Sequence, residues 1–453
     1  MAPTEPAHID RLSHRAFLGF LGTQFFGAFN DNLFKQLLLL LAVPTVVVAA
    51  AGDEATRGAD LQGVATMLFG LPFVVFGGLA GFLADRFSKR TIIVCSKVAE
   101  IVIMAAGLMA FLATPVIGFA GLWIVLFLMG LQSAFFGPGK YGILPEMLPR
   151  DQLNRANGLV MMTTFVAIII GTAMAGPLKD AVVPPDMPRM QAAAGLWIGS
   201  LVCIGIAVVG TIASLLIVRV PAAEPTLKLK PENLAIPKEI RSLLRRDKPL
   251  MLALLASCIF WLIAGLTIQA VNSLGKVQLQ LSDTWTSLMV SLISVGIAIG
   301  GLIAGQISRR VSDNMVVQIG MWATVILCFL FSITLPGGQH LLGFYGSIPV
   351  LILTGASAAF FAIPIQVFLQ SRPPEAYKGR MIAVMNQANF FAIVMSGLVY
   401  FALDRLIIAA DWPRSAVFAA MGLLFLPVAI FYRLDDAPLP EHAQPEHAQP
   451  EHA

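Results

Sequence analysis

Long apolar stretches separated by short polar breaks dominate the chain. Twelve of them, near 17–43, 63–84, 92–113, 117–138, 157–178, 194–218, 250–272, 284–307, 315–335, 342–369, 382–403 and 415–433, run continuously apolar rather than alternating. A hydrocarbon core of about 30 Å takes roughly 20 apolar residues of helix, whereas strands of a membrane barrel are about ten residues long and alternate. The pattern predicts an all-α membrane protein with twelve transmembrane helices.

The breaks divide these spans into six and six. The longest polar connection, residues 219–249, holds Lys228, Lys230, Lys238, Arg241, Arg245, Arg246 and Lys248. Within it PKEIRSLLRRDK sets Ile240, Leu243 and Leu244 on one helical face and bases on the other. Such a segment suits either a short helix lying on an anionic leaflet or a solvated basic linker. The halves also echo each other. FGGLAGFLADRFSKR after span two matches IGGLIAGQISRRVSDN after span eight, with Gly78 and Gly301 223 residues apart. Pro149 and Pro373, in the loops after spans four and ten, are 224 apart. Two loops recurring at one offset indicate duplicated bundles with a site between them. The expected organisation is an N-terminal segment 1–16, a six-helix bundle 17–218, the linker 219–249, a second bundle 250–433, and a solvated, disordered tail 434–453 containing PEHAQPEHAQPEHA.

Composition agrees: 57% of the 453 residues are hydrophobic, 12% are charged, and mean hydropathy is +0.80. With the N-terminus inside, 22 of the 30 Lys and Arg fall in inside segments and 6 in outside loops. That bias places both termini in the cytoplasm. It accounts for most of the net charge of +4, so no nucleic-acid partner is expected. MAPTEPAHIDRLSHR lacks a short apolar core with a cleavage site, so the first span is expected to be an uncleaved signal-anchor. Cys95, Cys203, Cys258 and Cys328 fall in different spans without metal-ligand spacing, and read as buried small apolar residues. No metal site or cofactor is expected.

Polar residues inside spans carry the candidate chemistry. Span one reads FLGFLGTQFFGAFNDNLFKQLLLLLAVPTVVV, with Asp31 and Lys35 at i, i+4 on one helical face. An ionised group at mid-bilayer costs about 2.5 kcal/mol or more. Asp31 lies fourteen residues past Phe17, roughly 21 Å along a helix at 1.5 Å per residue. Gln24, Asn30, Asn32 and Gln36 extend the polar stripe. Two readings stand: a ligand site, or a mutually neutralised pair holding span one against another helix. Lys140 and Tyr141 end span four, where Lys140 serves either to catch an anion or to anchor the helix. Lys97 and Glu100, at i, i+3 near the inner end of span three, read as a structural pair. Gln366, Gln370, Asn386, Gln387 and Asn389 are expected to line a cavity or to bond between helices. A Walker A loop, a His with Asp five residues on, and a metal cluster are all missing from the sequence, which argues against an enzyme.

The loop Gly81-Phe-Leu-Ala-Asp85-Arg86-Phe-Ser88-Lys89-Arg90 resembles the signature between spans two and three of the major facilitator superfamily, with Ser88 in place of a second Gly. The second half keeps Arg309 and Arg310 but lacks the acid. A narrower resemblance rests on GAFNDN in span one, GPGKYGILPE after span four and RANGL opening span five. These look like the bacterial lysophospholipid transporter family.

The resemblance implies a major facilitator fold of two six-helix pseudo-repeats in the bacterial inner membrane. It implies inward movement of lysophospholipids, typically lysophosphatidylethanolamine, by alternating access. The expected partners are the lysophospholipid itself and membrane lipids. Some members are fused to an acyltransferase and acyl-carrier-protein synthetase, so that enzyme is a further expected partner of a monomeric carrier. Asp31 would accept the ammonium and Lys35 the phosphate, with Asn30, Asn32, Gln36, Gln24 and Lys140 around them. Gly81, Asp85, Arg86, Lys89 and Arg90, with Glu146, Arg150, Glu375 and Arg380, would gate the inner side through salt bridges between halves. The competing reading is a proton-coupled carrier of a small polar solute or drug, with Asp31 carrying the proton.

Overall fold

The computed structural model describes residues 12–44, 60–184, 187–228, 237–308, 310–374 and 377–434; of Arg150 and Asn154 it describes the backbone only. Helices α1 (Arg15–Ala42), α2 (Gln62–Arg86), α3 (Lys89–Ile117), α4 (Ala120–Gly142), α5 (Leu153–Val182) and α6 (Arg189–Leu215, with a turn at Leu196) form the first half. A short helix α7 (Lys238–Arg246) leads to α8 (Lys248–Ser273), α9 (Asp283–Ile307), α10 (Asp313–Ser332), α11 (Gly343–Ser371), α12 (Lys378–Ala409) and α13 (Ala416–Phe431). Ten of these helices are long and apolar enough to cross a membrane. The other two spans fail for opposite reasons. α1 is 28 residues long but carries the polar stripe, and α13 is apolar but has only 16 residues.

The apolar interior divides between the halves. One cluster runs from Ile240 to Leu434, and two others draw their buried residues from Ala16 to Val220. Ile240, Leu243 and Leu244 of α7 belong to the second-half cluster, whereas its bases Lys238, Arg241, Arg245 and Arg246 are exposed. The amphipathic segment therefore lies neither free in solvent nor with its apolar face on a leaflet, because the second bundle covers that face. Lys230 falls outside the described residues. Cys203 and Cys328 are buried and Cys258 is half-buried, whereas Cys95 is exposed, unlike the expectation for it.

The halves meet mainly through α2 against α12 and α5 against α9. We call the end where α1 begins the terminal side and the opposite end the far side. Gly63, Gly70 and Gly77 recur every seven residues and so share one face of α2. A Cβ at Gly63 would sit 2.4 Å from the Gly397 carbonyl, and one at Gly70 would sit 2.9 Å from Val394. At Gly77, nearer the terminal side, it would meet nothing within 4 Å. Helix α5 repeats the pattern. Gly158 and Gly176 are eighteen residues apart, five full turns, and so share a face. Gly176 abuts the Asp283 backbone, and Gly158 faces nothing within 4 Å. Both contacts close at the far side and part toward the terminal side. Just before α2 and α12 part, Phe73 stacks on Phe390 at 3.8 Å and Gln387 donates to the Val74 carbonyl at 2.8 Å.

Candidate functional site

The partly exposed residues of α1 include Phe25, Ala28, Asp31, Asn32 and Lys35, which recur at three and four and form one open face. This face turns toward α2 and α4. Asp31 accepts a hydrogen bond from Ser133 of α4 at 2.6 Å, and the Lys35 ammonium lies 5.2 Å from the Phe69 ring centre on α2. Asn32 donates to the Ala28 carbonyl of its own helix at 2.7 Å. Asp31 and Lys35 form no ion pair within 4 Å, although i, i+4 spacing allows one. A short bond to a hydroxyl and a cation–π contact satisfy them separately.

The remaining polar residues of span one turn away from this face. Gln24 is buried against α5, its amide donating to the Val160 carbonyl, Thr163 and Thr164, each at 2.8 Å. The Lys140 ammonium reaches Thr164 at 3.2 Å and lies within electrostatic reach of Asp31. Asn30 is fully buried and donates to Glu100 at 2.7 Å. Glu100 is ion-paired to Lys97, whose side chain passes between Gly27 of α1 and Gly210 of α6. Lys97 and Glu100 thus form the expected pair, and it joins Asn30 deep in the first half. Gln36 leaves its own half and donates to Asn272 of α8 at 2.8 Å.

Around the signature loop, the contacts described stay within the first half and the start of the linker. Gly81 faces nothing within 4 Å. The Asp85 carbonyl accepts from Glu224 N at 2.8 Å, and Arg86 lies over the Phe82 and Phe87 rings. Lys89 pairs with Glu146, and Arg90 donates to the carbonyls of Ile217 and Leu215. Arg380 stands 3.7 Å from Glu239 in an exposed pair within the second half. Glu375 and the Arg150 side chain lie outside the described residues. With the terminal side parted, Lys89, Arg90, Glu146 and Arg380, expected to bridge the halves, find their partners on their own side of the molecule.

Bridging occurs instead at the far side, through residues not singled out from the sequence. Asp60 is fully buried at the start of α2; it accepts from Gln62 N and Nε2 at 3.0 Å each and from Tyr400 of α12 at 2.8 Å. Gln62 accepts from Asn272 at 2.9 Å, which extends this cluster to Gln36. Asp283 at the start of α9 binds Lys179 of α5 at 2.5 Å and Lys276 at 2.6 Å. Asp180 accepts from the Thr284 backbone at 2.8 Å. Charges at span ends are common anchors, and only their meeting across the two halves gives these a role. In the second half Arg372 binds the buried Asp247 at 2.6 Å, which also caps α8.

A long polar helix facing a cleft between two six-helix halves, shut at one end, defines a membrane carrier. The sequence pattern of the Major Facilitator Superfamily matches residues 21–397, and the chain belongs to that superfamily. Among curated relatives, the lysophospholipid transporter LplT of Klebsiella pneumoniae subsp. pneumoniae is 28% identical over 419 residues, covering 91% of this chain and 94% of its own length. LplT of Serratia proteamaculans is 27% identical over 414 residues, covering 89% and 92%. Solved structures share the fold. A POT family transporter in complex with 5-aminolevulinic acid has a TM-score of 0.68 at 14% identity, covering 90% of this chain and 94% of its own. The inward-open xylose transporter XylE from E. coli has a TM-score of 0.63 at 15% identity, covering 94% and 97%. The chain is a membrane transporter.

Proposed function

We propose that the protein moves lysophospholipids inward across the bacterial inner membrane, with the terminal side facing the cytoplasm. The 22-to-6 bias of Lys and Arg supports that orientation. The observation that carries the substrate is the set of charges at the open face. Asp31 supplies an acid there, and Lys35 and Lys140 each lack an ion pair within 4 Å among the described residues. One acid and two cations without an acid partner suit a headgroup with a phosphate and an ammonium: Asp31 takes the ammonium, and Lys35 and Lys140 take the phosphate as point charges. The apolar residues between the halves on the parted terminal side serve the acyl chain. The relatives named as lysophospholipid transporters support the same reading.

Uptake of labelled lysophosphatidylethanolamine into proteoliposomes tests this. Wild type transports the lipid, and Asp31→Asn and Lys35→Gln each reduce uptake at least tenfold. Undiminished uptake in both variants removes these side chains from binding. No uptake by wild type under any imposed gradient rejects the lipid reading and leaves a carrier of a small polar solute.

A further inference from the structure

We propose that a neutral pocket in the second half holds the glycerol backbone of the lipid and reads its free hydroxyl, an assignment that rests on the lysophospholipid reading. The pocket, about 60 Å³, lies where α8, α11 and α12 meet and is lined by Ser257, Trp261, Phe361, Gln366, Asn386 and Asn389, among others. Its lining contains no ionisable group. A phosphate or ammonium would find no counter-charge there, and the volume is far short of an acyl chain. What it offers is amides against aromatic walls. Ser257 donates to Asn389 at 2.8 Å, which leaves the Asn389 NH2 group free to donate. Gln366 and Asn386 are exposed and make no hydrogen bond among the described residues. Each amide both donates and accepts, as a hydroxyl with a neighbouring ester requires.

Its position supports the same assignment. Ser257 stands nine residues after Lys248, which opens α8, and Gln24 stands nine after Arg15, which opens α1. Ser257 bonds to α12 through Asn389, and Gln24 bonds to α5 through Thr163 and Thr164. At the 224-residue offset of the repeats, Thr164 falls beside Asn389 and Lys140 falls two residues from Gln366. The two corners are pseudo-equivalents at matching places in the two halves, one cationic through Lys140 and one neutral. A lysophospholipid carries a phosphate and a glycerol hydroxyl a few bonds apart, so one molecule offers a partner to each corner. A diacyl lipid has an ester chain in place of that hydroxyl, which the pocket is too small to take.

The test compares uptake of lysophosphatidylethanolamine, its analogue lacking the glycerol 2-hydroxyl, and the diacyl lipid, for wild type, Gln366→Leu and Asn386→Leu. Wild type should favour the hydroxylated lipid over the deoxy analogue about tenfold, the factor for one lost hydrogen bond of about 1.4 kcal/mol. Each variant should lose that preference while still moving the deoxy analogue, which also shows that it is folded. Equal uptake of the two lysolipids by wild type, or a preference kept by both variants, overturns the pocket assignment alone. Absence of any lysolipid uptake by wild type overturns the lipid reading and this assignment together.

Discussion

Acidification should close the far side of the transporter, and Asp60 should be the group responsible. Asp60 is buried where α2 meets α12, facing Tyr400 and Asp404 of α12, with Arg414 paired to Asp404 and Arg189 of α6 within electrostatic reach. Burial first, and the neighbouring Asp404 charge second, push the Asp60 carboxyl from its ordinary 3.8 to about 6; the bonds from Gln62 and Tyr400 oppose this but do not win. When the halves part on this side, Asp60 meets water and regains its ordinary affinity. The closed arrangement therefore binds the proton more tightly. It gains stability as pH falls from 6 toward 3.8, and above 6 the buried carboxylate works against closure. Two decades of proton affinity correspond to roughly 3 kcal/mol, enough to shift a balanced equilibrium about a hundredfold. Spin labels at Gln191→Cys and Gln339→Cys, exposed far-side positions of the two halves, report the separation by pulsed electron resonance in a Cys95→Ser background. The short-distance population should grow between pH 7.5 and 5, and Asp60→Asn should hold it near its acid value at every pH. A pH response that survives Asp60→Asn, or one of opposite sign, refutes the reasoning.

Other perturbations separate the stability of one half from motion between the two. Lys97→Met leaves the Glu100 carboxylate buried without its partner and should cost about 3–5 kcal/mol in urea unfolding of the purified protein, with much of that recovered in Lys97→Met/Glu100→Gln. Asp283→Asn leaves Lys179 and Lys276 facing each other without an acid, and should shrink the short-distance population between labels at Gln191→Cys and Gln339→Cys. Gly176→Leu places carbon where the Asp283 carbonyl stands 2.1 Å from an ideal Cβ, so the same short-distance population should shrink while unfolding changes little. Lys140→Gln should raise KM for the phosphate-bearing lipid several-fold with a smaller change in maximal rate, and Lys140→Arg should restore most of it.

The spans were legible because hydrocarbon imposes a length, and the polar stripe of α1 was legible because charge inside that length is costly. What the spacing of Asp31 and Lys35 left open was their partners. Position i, i+4 puts two groups on one face, but a hydroxyl on α4 and a ring on α2 are equally near in the folded bundle and took them separately. The amphipathic face of Lys238–Arg246 was legible as a pattern and ambiguous as a location, since a bilayer surface and a protein groove ask for the same residues. The far-side latch was hidden for the opposite reason. Asp60, Lys179, Lys276 and Asp283 sit at span ends, where ionised groups are ordinary. Their significance arises only from contact between residues roughly a hundred to several hundred positions apart, or across a turn. The difference follows from where a carrier must spend its polar groups. Mid-membrane charges must be few and specific, because nothing there solvates them. Gate charges must exchange protein partners for water as the sides alternate, so they stand at the ends and look like any interfacial residue until the two halves are brought together.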